Sequence, residues 1–329
     1  MSKIYLGDRL LAVLSGGTGT PKLLQGIARL LQPEDFSVIV NTAEDIEVSG
    51  LHVAPDLDSV MYTLAGIVNE GTWYGIRGDT FACHELLGIL GERELLRIGD
   101  RDRAVNLRRT LLLERGEVLS EATRELCKSL AVRANVMPMS DDRVQTRIET
   151  KPDTLSFHKF WVVRRGKDKV KGVNFKGVEN AKPAPGVLEA IGKAKAILIG
   201  PSNPVTSIGP ILAIEEIREA VIQNRERVLA VSPIVGNAAV SGPAGALMQG
   251  LGYEVSPLGV ARMYEGVVGT LVLDRGDERH ARAIEELGIN IAFADLFMPD
   301  LSSRIRLARE VLSLAGVRRG VVASSTNEK

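Results

Sequence analysis

Five short apolar runs stop abruptly at Gly, Pro, Ser, Asn or Asp: LLAVL before SGGTG, FSVIV before NTAED, AILIG before PSNP, VLAV before SPIVGN and TLVL before DRGDE. Runs of this length and β-branched content are what strands buried on both faces require. Helical spacing of apolar positions follows most of them, in PKLLQGIARLL, IGPILAIEEIREAVIQN and ERHARAIEELG. Strand, polar turn and helix in alternation predict an α/β fold with a mostly parallel sheet and helices on both faces. Ligands of such sheets bind beyond the carboxyl ends of the strands, so the five polar loops should converge on one rim.

Between about Asp56 and Leu130 the pattern turns mainly helical, in SVMYTLAGIV, ELLGIL, RAVNLRRTLLLERG and SEATRELCKSL. A second irregular stretch, from about Asn135 to Pro185, contains the strand-like pieces TRIET and SFHKFWVVRRG and a Lys-rich segment. We read a single α/β domain over residues 1–329, with a helical insertion at about 56–130 and an irregular one at about 135–185 that wall the site. Separate domains are the alternative, although no Pro/Ser-rich linker marks a boundary. No repeat period is present, and the tail RRGVVASSTNEK reads as frayed and polar.

Composition narrows the partners. Lys plus Arg and Asp plus Glu both number 41, so no global field attracts nucleic acid or an anionic membrane. Aromatic residues make up 4% of the chain, too few for a base-stacking platform. No apolar segment reaches the roughly 18 residues that span a bilayer, and MSKIYLGDRL lacks a signal core, which predicts a cytoplasmic protein. Cys83 and Cys127 lie far apart and read as buried thiols. The histidines His52, His84, His158 and His280 show no zinc spacing. Small-molecule substrates bound at local sites are what remains.

The strongest such site is SGGTGTPK. Gly16, Gly17 and Gly19 permit positive φ and close backbone approach, Thr18 and Thr20 add donors, Lys22 adds charge, and Pro21 suits an early helical position. The loop is phosphate-loop-like without the GKS/T ending or GxGxxG, and a structural turn is its alternative. NTAED and PDLDS supply Asp45, Asp56 and Asp58, a compact acidic set of the kind that bridges Mg²⁺ to substrate phosphates; helix capping by PDLDS is the alternative. GDRDRA offers Arg101 and Arg103, with Arg97 before them, either as a phosphate clamp or as a solvated ion-paired face. MSDDR is similar and less specific. GPSNPVTSIGPIL presents Ser202, Asn203, Thr206 and Ser207 at the rim, and SPIVGNAAVSGPAG presents Gly236, Asn237, Ser241 and Gly242 to a base or sugar.

Taken in this order, SGGTGTPKLL, NTAED, PDLD, GDRDRA, MSDDR, GPSNPVTSIGPIL and SPIVGNAAVSGPAG resemble the 2-phospho-L-lactate transferase family, from the first strand to about Asp295. The resemblance implies a Rossmann-like core with an added helical region, dependence on Mg²⁺, and a homodimer. It further implies transfer of a phospholactyl group from lactyl-2-diphospho-5'-guanosine to the ribityl hydroxyl of 7,8-didemethyl-8-hydroxy-5-deazariboflavin (Fo). The products would be coenzyme F-420-0 and GMP; some relatives use an enolpyruvyl donor instead. Carried onto this chain, the metal carboxylates are Asp45 and Asp56, while Asp58 and Arg97 contact Fo. The loops with Gly16, Gly17, Thr18, Gly19, Thr20, Lys22, Ser202, Asn203, Gly236 and Asn237 take the guanosine diphosphate side; Arg101 joins the substrate-binding set from the reading of GDRDRA alone. Asp45, Asp56 and Asp58 are then the catalytic set.

Two other classes stay in view. A dinucleotide-dependent oxidoreductase would place an acid at Glu44 or Asp45 but needs a different glycine spacing. A non-catalytic nucleotide-binding protein would need neither PDLD nor GDRDRA.

Overall fold

Seven parallel strands form the central sheet: β1 (Leu11–Ser15), β2 (Phe36–Val40), β3 (Asn135–Pro138), β4 (Ala196–Ile199), β5 (Val228–Val231), β6 (Thr270–Asp274) and β7 (Asn290–Ala294). They lie in the order β3-β2-β1-β4-β5-β6-β7, every neighbouring pair parallel. The first six follow the doubly wound Rossmann order, whose topological switch falls between β1 and β4. The structure, a computed structural model, describes residues 10–317. The N-terminal stretch read for a signal core and the tail RRGVVASSTNEK lie outside the described residues.

Alternation along β1 divides the core in two. Ala12 and Leu14 enter one apolar cluster and Leu11 and Val13 the other, as a strand covered on both faces demands. On the Leu11 face lie the helices Gly19–Ile27, Pro55–Leu64 and Leu301–Leu314, through Leu23, Leu24, Leu57, Met61, Leu307 and Val311. Gly26 lets the first and last of these touch: a Cβ there would sit 2.2 Å from the Arg304 carbonyl oxygen. The other face is covered by the helices Val187–Lys193, Ile208–Ala213, Glu215–Gln223 and Pro257–Met263. A small antiparallel sheet, Thr154–Ser156, Gln145–Glu149 and Gly172–Lys176, packs there through Leu155 and Ile148.

All five apolar runs are strands of the central sheet, and β3 and β7 are additions at its edges. SFHKFWVVRRG departs from the expected strand: only Thr154–Ser156 is extended, and Lys159–Val163 winds into a helical turn. Phe160 is buried while Trp161, Val162 and Val163 are exposed, a single anchor rather than a period-two face. The helix expected from about Ser59 starts instead at Pro55, whose fixed φ suits the first turn. Cys127 is buried, but Cys83 is only half-buried, and both thiols are free. No helix among the described residues is long and apolar enough to cross a membrane.

Candidate active site

At the switch point the loops after β1 and β4 interlock. Gly16 is pinned on two sides, since a Cβ would fall 2.8 Å from Asp56 Oδ2 and 2.8 Å from Ser207 Cβ. Gly17 takes φ +58°, the left-handed region that glycine enters without penalty. At Gly19 a Cβ would lie 1.8 Å from the Pro201 carbonyl oxygen. Ser202 Oγ donates to the Gly16 carbonyl and lies 2.6 Å from Thr20 Oγ1. The turn leads into the helix Gly19–Ile27, whose N-terminus favours an anion, while the Gly17 amide bonds Asp56 and the Thr20 N–H donates to Ser202 Oγ at 3.3 Å.

Carboxylates gather beside it. Asn41, just past β2, donates from Nδ2 to Asp56 Oδ2 at 2.9 Å and to the Thr206 carbonyl at 3.3 Å. Burial pushes the Asp56 carboxyl up to about 6, against the pull of Asn41 and the Gly17 amide. Glu44 is pushed well above the carboxylate range by burial and then by the charge of Asp56. Burial also raises Asp45, opposed by His52, whose Nε2 lies 2.9 Å from Asp45 Oδ2. Glu44 Oε1 and Asp45 Oδ1 are buried without a hydrogen-bond partner.

Asp58 belongs to a different contact. Its carboxylate is ion-paired with Arg109 of the helix Asp100–Glu114, and Arg109 also donates to Asn106 Oδ1 at 2.7 Å and to the His52 carbonyl at 3.3 Å. Asp58 is therefore no helix cap; it ties the Pro55–Leu64 helix to its neighbour.

These groups suit a divalent cation of the Mg²⁺ type. Among the described residues no cluster of three His, Cys, Asp or Glu side chains is placed to hold a metal through protein ligands alone. Mg²⁺ ordinarily uses one or two carboxylates and takes its other oxygens from water and phosphate. Asp45 and Asp56 are the two carboxylates that would hold it, and Asp45 Oδ1 is a buried oxygen without a partner.

The space in front of the loops is a pocket of about 570 Å³, well within the size range of small-molecule sites. Among the residues expected at the site, Gly17, Thr18, Gly19, Lys22, Asp56, Ser202 and Asn203 line it. Gly16, Thr20, Asp45 and Asp58 stand behind the wall in the contacts just described. Arg97 is exposed, its guanidinium carbon 3.8 Å from the centroid of the Phe81 ring, although its neighbour Leu96 lines the pocket. Arg101 is exposed in the first turn of its helix. Arg103 forks onto Glu94 at 3.0 and 2.7 Å, so this part of GDRDRA is an ion-paired face. Gly236 donates its N–H to Asp277 Oδ2 at 2.9 Å and Asn237 accepts from Arg279 at 3.0 Å; neither is part of the lining, which takes Ser241 and Gly242 from the same segment. Sequence reasoning passed over the aromatic wall of Trp73, Tyr74, Phe157, Trp161 and Phe297.

The family model described as 2-phospho-L-lactate transferase CofD matches residues 11–295. The chain belongs to that family. A 2-phospho-L-lactate transferase of Methanopyrus kandleri is 51% identical over 308 residues, covering 92% of this chain and 97% of its own. The Methanocaldococcus jannaschii transferase is 46% identical over 311 residues, covering 93% and 98%. The fold is shared with a crystal structure of a UPF0052-family protein from Bacillus halodurans, at TM-score 0.64 and 19% identity, covering 93% of this chain and 99% of that one. Membership of the transferase family supports 2-phospho-L-lactate transferase activity for the chain.

Proposed function

We propose that the pocket transfers the phospholactyl group of lactyl-2-diphospho-5'-guanosine to the terminal ribityl hydroxyl of the deazaflavin Fo, giving coenzyme F-420-0 and GMP. The observation that carries this reading is Asp56: a buried carboxylate fixed by Asn41 and the Gly17 amide, at the wall of the pocket and against the glycine turn. A carboxylate beside an anion-binding loop is the arrangement in which a cation mediates between an acid and a diphosphate.

In this reading the amide of Gly19, at the start of the helix, and the ammonium of Lys22 bind the diphosphate, while the Gly17 amide holds Asp56. The ribityl oxygen bonds to the phosphorus that bears lactate, the bond from that phosphorus to the GMP oxygen breaks, and the proton of the ribityl hydroxyl is released to water. Mg²⁺ held by Asp45 and Asp56 would neutralise the charge of the diphosphate and of the leaving GMP. Asn41 and His52 orient those two carboxylates. Asp58, engaged by Arg109, fixes the first turn of the helix that presents Asp56. The aromatic wall offers flat apolar faces to the tricyclic deazaflavin, and lactate is the smaller of the groups that the pocket must seat.

A mass-resolved transfer assay with Fo, Mg²⁺ and the lactyl or enolpyruvyl guanosine donor tests this. Product and GMP with wild type and none with Asp45→Ala are expected; turnover with the enolpyruvyl donor alone would replace the donor, and turnover without metal would end the metal reading.

A further inference from the structure

Lys22 is held in an unusual way. Its ammonium lies 5.5 Å from the centroid of the Trp73 ring, and the Arg304 guanidinium carbon lies 4.6 Å from the same centroid. Arg304 is otherwise occupied: Nη1 donates to Gln25 Oε1 and to Glu70 Oε2, each at 2.6 Å, and Nη2 to the Pro299 carbonyl at 3.2 Å. Lys22 has no such relief. Among the described residues no carboxylate forms a salt bridge with it; burial and then the charge of Arg304 lower its pKa. A cation over an aromatic face is attracted by the ring quadrupole without being neutralised. The ring thus steadies Lys22 while leaving its charge for an incoming anion.

Trp73 is itself fixed with care. It takes φ +55°, a conformation that a bulky side chain rarely adopts. Its N–H donates to the Asn69 carbonyl at 2.8 Å, and its carbonyl accepts from Ser59 Oγ at 3.3 Å. The ring is buried, and Lys22, Ser59 and Trp73 all line the pocket. Backbone held in a sparsely populated region by its surroundings is a mark of a site that needs one side-chain orientation.

We propose that Trp73 is a positioning residue for the donor diphosphate, acting through Lys22: its ring holds the ammonium beside the glycine turn, backed by the fixed charge of Arg304. The inference rests on the proposed donor only in assigning the anion to a nucleoside diphosphate. The binding pair predicted is therefore GDP and Lys22, with no role for Trp73 in the chemical step.

The test is a double-variant cycle on GDP affinity, measured by calorimetry with Mg²⁺ present, using wild type, Trp73→Leu, Lys22→Met and the double variant. Trp73→Leu should weaken GDP binding about fivefold in the wild-type background and not at all in the Lys22→Met background, and Trp73→Phe should recover most of the loss because the ring face is restored. Equal weakening by Trp73→Leu in both backgrounds, or GDP affinity unchanged by Trp73→Leu, overturns the inference; so does a loss in Trp73→Phe as large as in Trp73→Leu. Melting temperatures of all variants are taken alongside, and a cycle that closes to zero coupling overturns the inference whether or not they fall. A wild type that shows the GDP coupling but transfers no phospholactyl group would sink the transfer reading and leave the role of Trp73 intact.

Discussion

Arg109 and Asp58 form a buried ion pair between two helices, with the Arg109 side chain wholly inaccessible and the Asp58 side chain 7% exposed. Removing one member of such a pair strands the other charge out of water. Arg109→Met should therefore lower unfolding stability by about 3–5 kcal/mol in denaturant titrations. Arg109→Met combined with Asp58→Leu should recover part of that loss. If the double variant is as unstable as the sum of the single ones, the pair is not the coupling between these helices.

Gly16 has no room for a side chain, and one of the two nearest groups is the carboxylate proposed to bind metal. Gly16→Ala should push Asp56 from its place and cost about 1–3 kcal/mol of stability as overpacking. Transfer should fall far more than stability does, at least about a hundredfold, because misplacement at a reacting site is costly. Gly88→Ala is the control: nothing lies within 4 Å of a Cβ there, and the helix Ala82–Ile89 should gain up to about 1 kcal/mol. A Gly16→Ala enzyme of normal activity would show that the turn and Asp56 are not in contact during catalysis.

Asp102 sets a pH dependence. Burial, followed by the charge of Asp58, raises its carboxyl to about 7, although Tyr62 Oη donates to it at 2.7 Å. A carboxyl raised in the folded state keeps a proton that the unfolded chain has already lost. Its contribution to stability is thus complete below about pH 4, and it fades as pH rises towards 7. Asp102→Asn should flatten the fall in melting temperature over that window. An unchanged pH profile would mean that another group is responsible.

The unpartnered oxygens of Glu44 and Asp45 predict a metal effect apart from turnover. Mg²⁺ with GDP should raise the melting temperature of wild type, by linkage, more than GDP alone does. Asp56→Asn should lose that increment. The same increment in the variant would move the metal away from Asp56.

The sheet was legible because each of its five inner strands is mostly apolar and runs into a breaker, the form that double burial imposes. β7 was not, because half-buried edge positions such as Ile291 and exposed Phe293 carry no such pattern. The glycine turn and the acids of PDLD could be read from residue type and position after strands. Arg109 could not: it sits beside Arg108 in one helical run, and the first is buried and the second exposed only because Asp58 lies opposite one of them. Trp73 was hidden for a related reason, since its partners Lys22 and Arg304 come from opposite ends of the chain.

The contact between Thr20 and Ser202 joins positions 182 residues apart. Nothing local can make it: the turn after β1 has its shape only when the loop after β4 lies against it. During synthesis the first strand and its glycines would emerge long before their counterpart, and loop closure over that span has to come first. Nucleotide binding should accordingly be among the last properties to return on refolding, together with the closing of the sheet. The same dependence means that a fragment ending before β4 would carry the whole glycine motif and no anion site.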